Sequence, residues 1–173
     1  MAHVNIIEIK ARCAHPQAVR DVLRLQKADF RGTDQQIDTY FKVPQGRLKL
    51  REGAIENCLV YYQRKDQKGP KQSEVMLFPT SQGSSLKAIL TQSLGLLVVV
   101  EKRREIYFID NVKFHLDEVS QLGTFVEIEA IDRDGTLGTE HLLQQCQSFL
   151  ALLSISPKDL VAVSYSDLLM RES

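Results

Sequence analysis

The chain has no tryptophan, few cysteines and no excess of charge of either sign. Lysine plus arginine and aspartate plus glutamate are equal at 22 each. This balance argues against a general nucleic-acid or anionic-membrane binder, so any anion site must be local. Cys13, Cys58 and Cys146 are far apart and include no Cys-x-x-Cys pair. We therefore expect neither a disulfide framework nor a zinc site, and a reducing cytoplasm is the expected location.

Long apolar runs are missing as well. No segment approaches the roughly 20 apolar residues that a membrane helix needs. The first residues lack the basic and apolar pattern of a secretory signal. We therefore expect no membrane-spanning segment and no nucleic-acid or membrane partner.

The composition fits one globular domain over residues 1–173, because 43% of the residues are hydrophobic and 25% are charged. Apolar periodicity predicts about eight strands and three or four helices, which is an α+β fold. Residues 30–34 are expected to form a loop around Gly32, and residues 66–72 a polar loop. Ser84 or Ser85 is expected to cap one helix, and Thr139 a longer one.

Several strands alternate between apolar and charged residues. Strand side chains point to opposite faces in turn, so Lys102 and Arg104 share one face, and Glu127 and Glu129 share another. A solvated sheet with surface ion pairs, each worth about 0–1 kcal/mol, would give the same alternation. Helices are predicted to cover the apolar faces, however. If the sheet is strongly curved, its charged side becomes concave.

A concave face with many like charges is unfavourable unless it surrounds a ligand of opposite charge. The basic residues that would share this face are Lys10, Arg12, Arg47, Lys49, Arg51, Arg64, Lys102 and Arg104. The acids are Glu8, Asp117, Glu127 and Glu129. Carboxylates suit a hard divalent cation that also binds substrate phosphates. The combination indicates phosphoryl chemistry.

The chain resembles the CYTH superfamily, also called triphosphate tunnel metalloenzymes, from Ile6 to about Leu169. The family opens with a Glu-x-Glu-x-Lys strand, and Glu8-Ile9-Lys10 matches its last three positions. The later blocks that resemble the family are 36–41 (QIDTYF), 47–51 (RLKLR), 101–104 (EKRR) with Tyr107, and Asp117 followed by 122–129 (LGTFVEIE). The superfamily includes class IV adenylate cyclases, thiamine triphosphatases and inorganic triphosphatases.

The resemblance implies an eight-stranded antiparallel β-barrel that forms a charged tunnel, with helices packed on the outside. It implies Mg²⁺ or Mn²⁺ held by Glu8, Glu127 and Glu129, and a small-molecule triphosphate as the partner. The implied triphosphate-binding residues are Lys10, Arg12, Lys49, Arg51, Arg64, Lys102 and Arg104. The implied catalytic residues are Lys10, Lys102 and Asp117. A homodimer is left open.

One position departs from the family motif. The first glutamate falls on Ile6, while Asn5 lies on the opposite face of a regular strand. The number of metal ions is therefore open. His115 is interpreted as a surface or structural residue.

Three functions remain compatible with the sequence. The favoured one is a class IV adenylate cyclase, a lyase that converts ATP to cyclic AMP and pyrophosphate. The second is a hydrolase that acts on thiamine triphosphate, inorganic tripolyphosphate or a nucleoside triphosphate. The third is a non-catalytic triphosphate-binding module. An adenine pocket at the tunnel mouth would separate the first two, and the sequence does not identify one.

Overall fold

A computed structural model describes residues 3–172, which form eight strands and four α-helices. The strands are β1 (His3–Arg12), β2 (Asp29–Phe41), β3 (Arg47–Glu52), β4 (Cys58–Arg64), β5 (Lys71–Pro79), β6 (Leu96–Ile109), β7 (Val112–Val119) and β8 (Gly123–Asp132). The helices are α1 (Pro16–Leu25), α2 (Leu86–Leu94), α3 (Thr139–Leu152) and α4 (Tyr165–Glu172), and a short 3-10 helix covers Pro157–Asp159.

The strands close into one antiparallel barrel in the order β1-β5-β4-β3-β2-β6-β7-β8, and β8 pairs back with β1. Closure leaves no unpaired sheet edge. The predicted antiparallel β-barrel with outer helices is therefore confirmed.

The expected loop at residues 30–34 is wrong, because β2 continues through it and pairs with β6. The register shifts between Phe30 and Gly32, and Gly32 has φ 125°, a value that favours glycine. A bulge therefore replaces the loop. Lys71 also lies in a strand, at the start of β5, rather than in the expected polar loop.

Helices α1 and α3 cover the outer face of β1, β7 and β8. Ile9, Phe114 and Ile128 pack there against Leu142 and Cys146, and all five are buried. Since alternate side chains point the other way, this packing turns the charged residues of the same strands into the barrel. The charged alternation thus marks an interior surface rather than a solvated one.

The segment before α4 lies across one end of the barrel. The backbone N–H of Val161 donates to the carbonyl of Lys10, and Lys71 Nζ donates to the carbonyl of Ala162 at 3.0 Å. Tyr165 Oη donates to Asp117 Oδ2 of β7 at 2.7 Å. These contacts connect β1, β5 and β7, so the C-terminal segment covers this end.

Ser85 precedes α2 as expected, but Thr139 is the first residue of α3 and Gly138 is its N-cap residue. The carboxylate of Asp132 accepts hydrogen bonds from the backbone N–H groups of Gly135, Leu137 and Gly138. These bonds order the turn before α3. Within residues 3–172, no helix is both long and apolar enough to span a bilayer.

Candidate functional site

The barrel encloses a cavity of about 410 Å³. Side chains of all eight strands line it, together with residues of the turn after β3 and of the C-terminal segment. The predicted site residues that line the cavity are Glu8, Lys10, Lys49, Arg51, Arg64, Lys102, Arg104, Glu127 and Glu129. The alternation of inward and outward side chains along the strands therefore brings these residues together.

A carboxylate that the sequence reading did not select, Asp38 of β2, lies among three of the predicted cations. Its oxygens accept hydrogen bonds from Lys102 Nζ at 2.7 Å, Lys49 Nζ at 2.8 Å and Arg51 Nε at 2.9 Å. Burial alone would raise the pKa of Asp38, which is 1% exposed, but the three cations hold it well below its usual range. One carboxylate thus positions three phosphate-binding candidates.

Lys102 differs from the other two cations, because its pKa is lowered while those of Lys49 and Arg51 are raised. Burial, with repulsion from Arg51, Arg104 and Lys49, lowers its pKa to about 7, although Asp38 opposes the shift. Because an anion near the ammonium would favour its charged form, a bound phosphate would raise this pKa again.

Glu56, in the turn after β3, is a second acid that the sequence reading missed. Its carboxylate accepts from Arg51 at 3.0 Å and also pairs with Lys113 of β7. The buried carboxylate of Asp34 accepts hydrogen bonds from the backbone N–H groups of residues 54–56. An added Cβ on Gly53 would lie 2.5 Å from Asp34 Oδ2, so glycine permits this close approach.

Across the cavity, Glu127 of β8 is the second acidic centre. Lys10 Nζ lies 3.0 Å from its Oε1, and Arg104 lies 3.4 Å from its Oε2. Burial would raise the pKa of Glu127, but Lys10 and Arg104 hold it well below its usual range. Glu127 therefore stays ionised and can act as a metal ligand.

Asp117, a predicted catalytic residue, does not line the cavity. Its oxygens accept two hydrogen bonds from Arg104, at 2.7 and 2.5 Å, and one from Tyr165 Oη. A bidentate pair of this kind fixes the plane of the guanidinium. The geometry gives Asp117 the role of positioning Arg104.

Arg12, a predicted phosphate ligand, is exposed and lies outside the cavity lining. Its Nη1 donates to the carbonyl of Leu122 at 3.1 Å, and its guanidinium lies 5.1 Å from the centre of the Phe125 ring. The cavity wall brings the other six implied phosphate ligands together without it, whereas Arg47 lies outside the lining and pairs with Asp66 and Asp167.

His115, Glu127 and Glu129 offer three ligand atoms that all lie within 4.8 Å of one another. His115 is 1% exposed, so it is a buried residue and not a surface one. Its Nδ1 lies 3.2 Å from Glu127, and its Nε2 is buried without a hydrogen-bond partner in the described structure. Burial and Arg104 lower the pKa of His115, which favours the neutral ring. Two carboxylates and a neutral imidazole fit a divalent metal ion.

Glu8, the third predicted metal ligand, forms an ion pair with Arg64 of β4. Ile6 also lines the cavity, while Asn5 faces outward and contacts Thr139 and Gln72. Asn5 therefore does not replace the missing carboxylate. This agrees with the expectation that Asn5 and Ile6 lie on opposite faces of a regular strand.

Part of the cavity wall is apolar. We call Val4, Ile6, Val60, Val75 and Ile131 the apolar patch; they form one cluster of buried side chains that lines the cavity. At the same end of the barrel, Ile55 and Leu77 also line the cavity and are 45% and 47% exposed. This end is opposite the one that the C-terminal segment covers. The cavity wall therefore combines this apolar patch with a charged section, which we define as Glu8, Lys10, Asp38, Lys49, Arg51, Glu56, Arg64, Lys102, Arg104, Glu127 and Glu129.

The sequence did not single out Asp38 or Glu56, and it left His115 as a surface or structural residue. A signal existed for Asp38, since it alternates with Gln36 and Tyr40 on one face of β2. His115 likewise alternates with Asp117, which was selected. Glu56 lies in a turn, where no periodic signal operates.

The chain belongs to the CYTH domain family, whose model matches residues 5–165. Enzymes of this family act on triphosphates in a metal-dependent way. This match confirms the family resemblance.

Solved structures show the same fold. The PH1012 protein of Pyrococcus horikoshii OT3 is 23% identical with a TM-score of 0.77, over 94% of this chain and 98% of that one. A candidate adenylate cyclase of Vibrio parahaemolyticus is 19% identical with a TM-score of 0.74, over 95% and 97% of the two chains. A candidate adenylyl cyclase of Hippeastrum, described as having a dominant triphosphatase activity, is 17% identical with a TM-score of 0.62, over 97% and 96%. Among curated proteins, none matches.

Proposed function

We propose that this protein uses a divalent metal ion to cleave an organic triphosphate, with the phosphates in the charged section and the organic group against the apolar patch. The observation that carries the proposal is that these two surfaces line one cavity, which the C-terminal segment covers at one end. An inorganic chain of phosphates would gain nothing from burying aliphatic side chains, whereas an organic group would.

The cations around Asp38 would bind the phosphates. Lys49, Arg51 and Lys102 share that one carboxylate, so their summed charge exceeds that of their partner. A triphosphate can pair with them without their leaving their present positions. Binding groups that are already in place lose little conformational entropy, which strengthens both affinity and catalysis.

Glu127 and Glu129 would hold the metal ion, with Glu8 beside them. The ion would neutralise phosphate charge and polarise a phosphoryl oxygen. Arg104 contacts Glu127 and is held in plane by Asp117, so it can bind a phosphate next to the metal ligands. Lys10 pairs with Glu127 and lies 3.8 Å from the Tyr165 ring, which places its charge between the metal ligands and the covered end.

Conversion of ATP to cyclic AMP and pyrophosphate is the first form of this activity that we propose. In that reaction the ribose 3′ oxygen attacks the α-phosphorus, pyrophosphate leaves, and the hydroxyl proton is lost. A competing water molecule would give hydrolysis instead. The aliphatic side chains of the apolar patch would pack against the nucleoside and keep water away from the α-phosphorus.

Hydrolysis of a triphosphate is the second candidate. It needs the same phosphate and metal ligands but no fixed position for a ribose hydroxyl. The dominant triphosphatase activity described for the similar Hippeastrum protein favours it.

The experiment is a product assay with purified protein, Mg²⁺ or Mn²⁺, and ATP, thiamine triphosphate or tripolyphosphate in separate reactions. Cyclic AMP with an equal amount of pyrophosphate would support the cyclase. Orthophosphate without cyclic AMP would support the hydrolase. Tight binding without any product would overturn catalysis and leave a binding module.

A further inference from the structure

His115 lies directly opposite Glu127 in the pairing of β7 with β8, and both side chains point into the barrel. Glu129 is the next inward residue on β8. The register of two strands therefore fixes the three side chains relative to one another, independently of any loop. A ligand bound between them would meet a rigid site.

The distances within this cluster match those around one metal ion. Two ligand atoms that each lie ~2.1 Å from an ion, at right angles, are ~3.0 Å apart, and wider angles give longer separations. His115 Nδ1 lies 3.2 Å from Glu127 Oε2 and 3.8 Å from Glu129 Oε1. The three atoms thus need little movement to share an ion.

The polar contacts of the His115 ring in the described structure are made through Nδ1 and go to the two carboxylates. Nε2 is buried and has no partner there. A ring whose paired nitrogen faces two carboxylates can place its lone pair on a cation between them. Its proton then lies on the other nitrogen.

Ile6 stands where the family motif has its first glutamate, so the metal site has one carboxylate fewer than the motif provides. The carboxylate of Glu8 is paired with Arg64. We propose that His115 Nδ1 is a direct ligand of a divalent ion, together with Glu127 and Glu129, and so supplies the ligand that Ile6 does not. This inference rests on the metal-dependent activity proposed above, and it assigns that site a nitrogen ligand.

A mixed nitrogen and oxygen set changes metal preference. Mg²⁺ prefers oxygen ligands and dehydrates reluctantly, whereas imidazole is a good ligand for transition-metal ions. We therefore expect the protein to bind Mn²⁺ more tightly than Mg²⁺, and the His115→Gln variant to lose most of that preference.

The test is pulsed electron paramagnetic resonance of Mn²⁺ bound to the full chain without substrate, which detects nitrogen bonded to the metal. The wild type should show this coupling, and labelling of its histidines with ¹⁵N should change the signal. The coupling should disappear in His115→Gln, with Mn²⁺ affinity reduced about tenfold or more. His141, exposed on α3, provides the matched control, and His141→Gln should retain the coupling.

Bound Mn²⁺ without nitrogen coupling in the wild type would overturn the inference, because His115 would then only hydrogen-bond to Glu127. That result would leave the proposed function standing. A wild type that binds no Mn²⁺, with or without a triphosphate, would overturn both. The wild-type measurement decides the matter even if His115→Gln folds poorly.

Discussion

The charged section and the apolar patch of the tunnel satisfy their side chains in different ways. In the charged section, Asp38, Glu56, Glu127 and Glu8 pair with the cations that would bind phosphate. In the apolar patch, aliphatic side chains contact one another and need no partner. A ligand must therefore share the cations with internal carboxylates at one surface, while at the other it gains from simple burial. Loss of a charge should matter more than loss of a methyl group.

Removal of Lys102 should have the largest effect. Lys102→Ala takes away a fully buried cation beside Asp38, and we expect a loss of activity of about 100-fold or more with the fold retained. Steady-state rates and circular dichroism would measure both. Lys158→Ala, at an exposed lysine, is the control. Wild-type rates in Lys102→Ala would rule out the assignment of the tunnel as the site.

Replacement of Ile6 by glutamate would add a charge to the apolar patch. Ile6→Glu restores the carboxylate of the family motif beside Glu8, so we expect tighter metal binding, by about tenfold. Calorimetric titration with Mg²⁺ and Mn²⁺ would measure it. An unchanged titration would mean that position 6 does not reach the metal.

Truncation within the apolar patch should separate organic from inorganic ligands. Val75→Ala removes two methyl groups from the cavity wall, and we expect affinity for an organic triphosphate to fall roughly threefold to tenfold. Tripolyphosphate binding to the same variant serves as the internal control and should not change. Equal losses for both ligands would indicate a general distortion of the barrel.

The smallest expected effect is the uptake of a proton by Lys102 when a triphosphate binds. Because burial lowers the pKa of Lys102 to about 7, the side chain is largely neutral at pH 8 in the free protein. A bound triphosphate favours the ammonium form, so binding at pH 8 should take up a proton and should strengthen as the pH falls toward 7. Calorimetry in two buffers of different ionisation enthalpy would detect the uptake.

Burial also lowers the pKa of Lys71 to about 7, but this residue lies outside the cavity lining and contacts backbone carbonyls. Lys71→Gln should therefore keep the proton uptake. If the wild type took up no proton when it binds a triphosphate at pH 8, Lys102 would not contact the phosphates.

The inward-facing residues could be predicted from the sequence because strand periodicity is strict. The alternation in residues 47–51 and 125–130 placed Arg51 and Glu127 on the cavity side, and the family motifs supplied the closure into a barrel. The loop expected around Gly32 was wrong, because a glycine can also form a bulge within a continuing strand.

The pairing inside the tunnel could not be predicted. Asp38 and Lys102 lie on neighbouring strands far apart in sequence, and their contact depends on the register of β2 with β6. The position of Glu56 depends on a turn held by Asp34. The surface alternative for His115 was wrong, because its neighbours in sequence do not reveal the two carboxylates of β8.

A crystal structure with Mn²⁺ and a non-hydrolysable ATP analogue would test the central claim most directly. We predict phosphates in contact with Lys102, Arg51 and Arg104, the ion on Glu127 and Glu129, and the nucleoside against the apolar patch. Phosphates bound outside the barrel, or a nucleoside lying at the end covered by Tyr165, would contradict the account.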